Sequence, residues 1–207
     1  TSNGAGIAGN VTDFPMVVRL DTNNFDFTQA MSNGGDIRFA KSNGLVLFYD
    51  IEAWDNTNEK AAIWVNVDSI YGGNKTQYFT MYWGKAASVD RSDSARVFPN
   101  SDGYRGVWHL DQNSTSLYDA SSTANHGTGQ NAPTMAECLI DSGLLLDGSA
   151  DFMTTGTQFG SPNTYTISSW IKTNTGAGGF IIGFASNTGN NDGNNVDRQI
   201  YMTNSGT

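Results

Sequence analysis

Both histidines of the chain, His109 and His126, lie in one polar stretch that also carries Asp111 and Asp119. Imidazole nitrogens together with carboxylates can hold Zn²⁺ or move protons. The two histidines are 17 residues apart, however, and no His-x-His or His-x-x-x-His spacing places two imidazoles on one face. We therefore expect no shared zinc site, and we interpret residues 106–128 mainly as an opening strand followed by an Asp- and Asn-rich turn.

Calcium is the cation that the oxygen-rich loops of the sequence favour. Ca²⁺ prefers carboxylate, amide and carbonyl oxygens. Three clusters supply them: Asp111 with Asp119, Asp147 with Asp151, and the loop 190–197 with Asp192 and Asp197. That loop lacks the closing bidentate glutamate of an EF-hand. The alternative for each cluster is a solvated turn, in which Asn, Asp and Gly supply the turn geometry; both interpretations stay open.

The glutamates do not form an obvious catalytic pair. Glycoside hydrolysis needs two facing carboxylates, about 5 to 9.5 Å apart. The three glutamates are Glu52, Glu59 and Glu137, and none of them is paired on a predicted strand with a second acid two or four residues further along. No Gly-x-Ser-x-Gly elbow occurs in the required context. We predict no catalytic residue in this segment.

The composition predicts an all-β protein without nucleic-acid partners. The 207 residues include 24 glycines and 12% aromatic residues, which is typical of short strands joined by turns. A formal net charge of -9 repels phosphate backbones and anionic lipids. No run of 18 apolar residues occurs, so we expect no membrane span. The single cysteine, Cys138, is predicted to be a small apolar core residue, with pairing to another chain as the alternative.

Alternating apolar residues predict five antiparallel strands in the first 84 residues. They are 14–20, 36–40, 45–54, 61–67 and 77–83, and turns rich in Asn, Asp and Gly separate them. The strand 77–83 is apolar on both faces, which favours a central, buried position over a sugar-stacking surface. These strands predict a sandwich or barrel.

A second strand-rich region follows a polar segment. We predict a first domain at residues 1–90, a linker at 91–102 and a second domain at 103–207. The second domain is expected to contain strands at 106–110, 144–146, 151–155, 165–173, 180–185 and 199–202, with a short helix at 134–140. Trp54, Trp64, Trp108 and Trp170 occur in strand contexts and are predicted to lie in a core or an interface.

The first hundred residues resemble a bacterial domain of unknown function. The matching segments are 14–20 (FPMVVRL), 24–27 (NFDF), 35–39 (GDIRF), 49–55 (YDIEAWD), 63–65 (IWV) and 81–84 (MYWG). The resemblance implies an exported or cell-surface protein, because such domains occur there, in some cases attached to proton-channel components of biopolymer transport.

Residues 103–207 are similar to the start of laminin-G-like domains with the concanavalin A-type jelly roll. The similar segments are 106–128, 146–152 (LDGSADF) and 165–172 (YTISSWIK). The fold class we predict is therefore two antiparallel β-sandwiches in tandem, the second a partial jelly roll. Strands that complete it would come from a longer polypeptide or from a neighbouring subunit.

These observations lead us to expect a non-catalytic module of a secreted or cell-surface bacterial protein. Its roles would be adhesion, glycan binding or assembly of a surface filament, with self-association through exposed strand edges and structural Ca²⁺ as the expected cofactor. The alternatives are a segment of a carbohydrate-active enzyme, either a glycosidase or a polysaccharide lyase, and the ectodomain of a transport or sensory complex.

Overall fold

The computed structural model describes residues 7–112, 115–157, 159–160, 162–185 and 196–205. These residues form antiparallel strands with very little helix, which confirms the all-β prediction. The strands are β1 (Val11–Leu20), β2 (Arg38–Lys41), β3 (Val46–Leu47), β4 (Tyr49–Asp55), β5 (Lys60–Ile70), β6 (Phe79–Tyr82), β7 (Gly127–Gln130), β8 (Thr134–Glu137), β9 (Ser142–Leu145), β10 (Phe152–Thr155), β11 (Gly179–Ala185) and β12 (Val196–Met202). One short helix, α1 (Ser94–Val97), lies between β6 and β7.

The first six strands form two sheets around one core, which we call the N-terminal unit. Sheet A has the order β1-β5-β4, and sheet B has the order β3-β2-β6. Ile63 and Val65 of β5 are fully buried against Phe39 and Leu47 of sheet B. The five strand patterns in the sequence correspond to these elements, except that the pattern 45–54 divides into β3 and β4.

Sheet A is covered on its outer face as well, by residues 92–125. Val97 is fully buried, and the Phe98 ring lies 5.8 Å from the Trp64 ring of β5. The Asn66 side chain of β5 donates a hydrogen bond to the Val97 carbonyl at 3.3 Å. Because β5 is covered on both faces, its residues 61–65 are apolar without alternation, as is usual for a central strand. The predicted linker is therefore packed over much of its length, and the predicted domain boundaries stay a prediction.

The remaining strands pair as three separate two-stranded sheets among the described residues: β7 with β10, β8 with β9, and β11 with β12. The tandem sandwich and the jelly roll stay predictions. No helix in the described part of the chain has the length and apolar character needed to cross a membrane.

Several local predictions were wrong. The predicted helix 134–140 is the hairpin β8–β9, in which Glu137 pairs with Ser142 across a turn closed by the hydrogen bond from the Cys138 amide to the Asp141 carbonyl. Cys138 is exposed on that turn, not buried in a core. Residues 106–110 form only an isolated bridge, between Trp108 and Asp119, and residues 165–173 form no strand.

The strand β6 is also not central. It lies at the edge of sheet B, where only β2 pairs with it. Phe79 and Met81 pack on the core, but Tyr78 and Tyr82 on the other face are exposed. The prediction of a central position was therefore wrong: aromatic residues on both faces are also compatible with a half-exposed edge strand.

Candidate functional site

Two acids of β4, Asp50 and Glu52, lie on the outer face of sheet A. Their neighbours Tyr49 and Ile51 pack into the core of the N-terminal unit. The β4–β5 register skips one residue between Ile51 and Ala53, so Glu52 is the extra residue of a β-bulge. Bulges redirect side chains, and here Glu52 Oε2 accepts a hydrogen bond from the Trp64 indole N–H on β5.

His109, from the covering segment 92–125, packs on this same outer face of β4 and β5. Its ring is stacked on Trp64, with 5.9 Å between centroids and an interplanar angle of 17°, and lies 5.7 Å from the Phe98 ring. Its Nδ1 is 3.5 Å from Glu52 Oε1. The side chains are 10% exposed for His109 and 4% exposed for Glu52, so both groups are largely removed from water. His109 Nε2 is buried and has no hydrogen-bond partner among the described residues.

Burial shifts the pKa values of these two groups in opposite directions. Loss of hydration raises the pKa of Glu52 to about 7, and the negative charges of Asp111 and Asp50 add to this effect. Burial lowers the pKa of His109 to about 4, although the charge of Asp119 opposes it. The pair is therefore not an ordinary ion pair at neutral pH. Glu52 and His109 together hold one proton between about pH 4 and pH 7.

Two further carboxylates belong to the same buried cluster. Burial raises the pKa of Asp50, whose Oδ1 accepts a hydrogen bond of 3.0 Å from the Ser92 hydroxyl. Burial also raises the pKa of Asp111, with the charge of Asp141 contributing. Ser92 in turn accepts a hydrogen bond of 2.8 Å from the Ile51 amide. The cluster thus joins β4 to the covering segment through hydrogen bonds as well as ring contacts.

The chain itself covers the carboxyl group of Glu52. A general acid must reach the bond that it protonates, but the Glu52 side chain is covered by Trp64 and His109. The cluster was not predicted from the sequence, because only acids that follow a glutamate along its strand were considered. Asp50 precedes Glu52 by two residues on one strand, and that spacing was the available signal. The contact with His109 has no signal in the sequence.

Asp119, a predicted calcium ligand, is the centre of a separate hydrogen-bond network. The residue is fully buried. Its carboxylate accepts hydrogen bonds from the amides of Val107, Ser121 and Asn125 and from the hydroxyls of Ser121 and Thr123, at 2.8 to 2.9 Å. Burial alone would raise the pKa of Asp119, but these hydrogen bonds outweigh it and lower the pKa. The carboxylate organises residues 105–125.

The other calcium candidates lie apart from this network. Asp147 Oδ1 accepts backbone hydrogen bonds from Ser149 and Ala150, and Asp151 Oδ2 accepts one from the Asp147 amide. These contacts are those of an exposed turn. Asp192 lies outside the described residues, and Asp197 is described only by its backbone pairing with Phe184. Within the described part of the chain, no three His, Cys, Asp or Glu side chains are grouped so that they could share a metal ion.

The two histidines make different contacts. The His126 Nδ1 accepts a hydrogen bond of 3.1 Å from the Asp119 amide, and its ring is stacked on Tyr118 with 4.7 Å between centroids. His109 contacts Glu52 and Trp64 instead.

The region after residue 126 exposes large apolar side chains, which we call the C-terminal apolar residues. The most exposed is Trp170, at 93%, so this tryptophan is not part of a core of the described chain. Ile171, Phe180, Ile200 and Tyr201 are exposed as well. The last three belong to β11 and β12, a two-stranded sheet of the kind that is marginally stable by itself.

The fold and these contacts define an all-β unit in which residues 92–125 cover a sheet. Residues 33–122 of the chain match the family described as "Domain of unknown function (DUF2341)". This match begins before β2 and ends within the Asp119 network, and it supports the resemblance of the first part of the chain to a domain of unknown function. Searches among curated proteins and among solved structures found no match.

Proposed function

We propose that the chain is a non-catalytic module of a secreted or cell-surface bacterial protein and acts by adhesion and by assembly with further strands. The observation that carries this proposal is the exposure of the C-terminal apolar residues, above all Trp170 at 93%. Large exposed apolar patches mark interaction surfaces. A two-stranded sheet such as β11–β12 gains stability when additional strands or a second sheet cover it.

The charge and the buried site are consistent with this function. A net charge of -9 favours solubility in an extracellular setting and disfavours nucleic-acid partners. The acids with the most perturbed environment, Asp50 and Glu52, are covered by the chain itself, which supports a structural role for them rather than a catalytic one. A carbohydrate-active enzyme remains the alternative, and Asp50 and Glu52 on one strand are the observation that favours it.

Self-association is the direct test of the proposal. We expect the weight-average mass from light scattering to rise with protein concentration above that of a 22.2 kDa monomer. The substitution Trp170→Ser should reduce the association, because it removes the most exposed apolar side chain without opening a core. Val89→Ser is the matched control, since Val89 is 71% exposed but lies in the N-terminal part of the chain.

Two additional measurements separate the alternatives. Constant monomer mass at all concentrations, both with Ca²⁺ and with a chelator, would contradict assembly through this surface. Incubation with a panel of polysaccharides tests the enzyme: release of reducing ends or of unsaturated products would favour a glycosidase or a lyase over a binding module.

If structural Ca²⁺ is held by Asp147 and Asp151, the chelator lowers the melting temperature and Asp151→Asn removes that difference.

A further inference from the structure

One end of the N-terminal unit gathers several loops. β1 ends at Leu20 and β4 ends at Asp55, on either side of the start of β5. β6 ends at Tyr82, and the ring contact between Phe25 and Trp83 brings this end of sheet B to the same place. The loop after β1, the β4–β5 turn and the residues after β6 therefore lie side by side. Loops at the end of a rigid pair of sheets commonly carry binding sites.

This end contains an open polar cleft of about 410 Å³. It is lined by Thr22, Asn23, Asn24, Phe25, Asp26 and Glu59. The Asn24 side chain is already hydrogen-bonded to the backbone: its Oδ1 accepts a hydrogen bond from the Asp21 amide, and its Nδ2 donates one to the Arg19 carbonyl. Among the described residues, no partner accepts from or donates to the side chains of Thr22, Asn23 and Glu59. The cleft thus presents a hydroxyl, an amide and a carboxylate to solvent.

An aromatic ring is fixed beside the cleft. Trp83 is 42% exposed, and its indole N–H donates a hydrogen bond of 3.2 Å to the Gln29 side chain. Gln29 in turn donates to Asp26 at 3.1 Å. The Phe25 ring, which forms part of the cleft wall, packs 5.3 Å from the Trp83 ring at 70°. Trp83 is therefore held in one orientation before any ligand binds, which reduces the entropic cost of binding.

The combination of a fixed, half-exposed indole with free hydroxyl, amide and carboxylate groups matches the chemistry of a sugar ring. The apolar C–H face of a pyranose stacks on an aromatic ring, while its hydroxyls exchange hydrogen bonds with Asn, Thr and Glu side chains. The carboxylates of Asp26 and Glu59 and the net charge of -9 disfavour uronate or sulfated polymers.

We propose that this cleft binds a neutral polysaccharide, with Asn23 and Glu59 as its polar contacts. Trp83, which lies outside the cleft lining but packs on Phe25 of the cleft wall, would be the adjoining stacking surface. The inference deepens the proposed adhesive function and rests on it. It places glycan binding in the N-terminal unit, at a site separate from the C-terminal apolar residues that carry the assembly proposal.

Affinity electrophoresis of the full chain in native gels containing soluble neutral glucan, mannan or galactan tests the proposal, with polygalacturonate as the acidic comparison. We expect retardation by at least one neutral polymer and none by polygalacturonate. Trp83→Ala should weaken the apparent affinity about tenfold, the scale of one lost stacking contact of roughly 1.4 kcal/mol. Tyr82→Ala is the matched control, since Tyr82 is an adjacent exposed aromatic residue on the outer face of sheet B, and its affinity should stay within about twofold.

Asn23→Ala guards against a folding artefact, because the Asn23 side chain is exposed and has no partner to lose; it should weaken binding several-fold with an unchanged melting temperature. Two results would overturn the proposal: no retardation by any of the neutral polymers, or retardation that Trp83→Ala and Asn23→Ala leave unchanged. Neither result affects the self-association measured by light scattering, so failure of this site and failure of the assembly function are distinguishable.

Discussion

The substitution Glu52→Gln should change the pH dependence of stability in a defined way. Glutamine keeps the size of the side chain and an oxygen that can accept the hydrogen bond from Trp64. It cannot be ionised, so the variant lacks the titration of Glu52 and retains that of His109. A comparison of the two proteins across pH therefore isolates one group of the buried cluster.

The sign follows from the two pKa shifts. Burial raises the pKa of Glu52 from 4.5 to about 7, so its contribution to stability is fully present below pH 4.5 and is lost as the pH rises through 7. Burial lowers the pKa of His109 from 6.5 to about 4, so its contribution is fully present above pH 6.5 and is lost as the pH falls through 4. Between about pH 4.5 and 6.5 these two gradients oppose each other in the unmodified protein.

The magnitude is large enough to measure. A pKa difference of one corresponds to about 1.4 kcal/mol, so each group contributes a change of about 3 kcal/mol over its range. The two groups nearly cancel in the unmodified protein. In Glu52→Gln only the His109 gradient remains, because the stability that the unmodified protein loses through Glu52 above pH 4.5 is no longer lost. We therefore expect the difference in free energy of unfolding, variant minus unmodified protein, to increase by about 3 kcal/mol between pH 4.5 and 7.5.

Urea unfolding followed by tryptophan fluorescence at a series of pH values provides the measurement. Glu137→Gln is the control, because Glu137 is exposed at the end of β8 and lies outside the buried cluster. The complementary variant His109→Gln should reverse the gradient and leave stability that falls between pH 4.5 and 7. A constant difference between Glu52→Gln and the unmodified protein over the whole range would refute the assignment of a buried, mostly protonated Glu52.

Two further substitutions test the packing around the cluster and the core. Asp119→Ala should lower the free energy of unfolding by about 3 to 5 kcal/mol, because it leaves several buried donors without an acceptor. Asp147→Ala should cost clearly less, because its donors lie in an exposed turn where water can replace the carboxylate, and equal losses would contradict the buried network. Gly34→Ala should cost about 2 to 3 kcal/mol, since Gly34 has φ +68° and an added Cβ would lie 2.6 Å from the Trp54 ring. Gly44→Ala, at φ +82° in open space, should cost only about 1 kcal/mol, and urea unfolding of all four variants provides the comparison.

The sheets of the N-terminal unit could be predicted because their signals are local. The alternation in β1 and the Asn-Gly turns at residues 33–35 and 43–44 follow from side-chain period and turn chemistry, and neither needs a distant partner. The same reasoning failed at residues 134–140. A short stretch without clear alternation satisfies a helix or a strand equally well, and only the pairing of Glu137 with Ser142 decides between them.

The buried cluster could not be predicted in full, for a different reason. Asp50 and Glu52 are two residues apart, which does indicate a common face, but their role depends on what covers that face. The covering segment has no regular pattern, because hydrogen bonds to the Asp119 carboxylate, rather than a strand or helix period, determine its path. The contact of His109 with Glu52 therefore appears only in three dimensions.

The covering segment and sheet A act as one structural unit. Without residues 92–125, the outer face of β5 would expose the Trp64 ring, and the Asn66 amide would lose the Val97 carbonyl. Water would then reach Glu52, and the cause of its raised pKa would disappear. Protonation of Glu52 is consequently linked to packing of the segment on the sheet. When the segment covers the sheet, the protonated form of Glu52 is favoured. Protonation of Glu52 stabilises the covered state by the same free energy. This reciprocity makes the pH dependence of Glu52→Gln a measure of how firmly the segment is held, at a cluster that lies wholly within the part of the chain matching the family of unknown function.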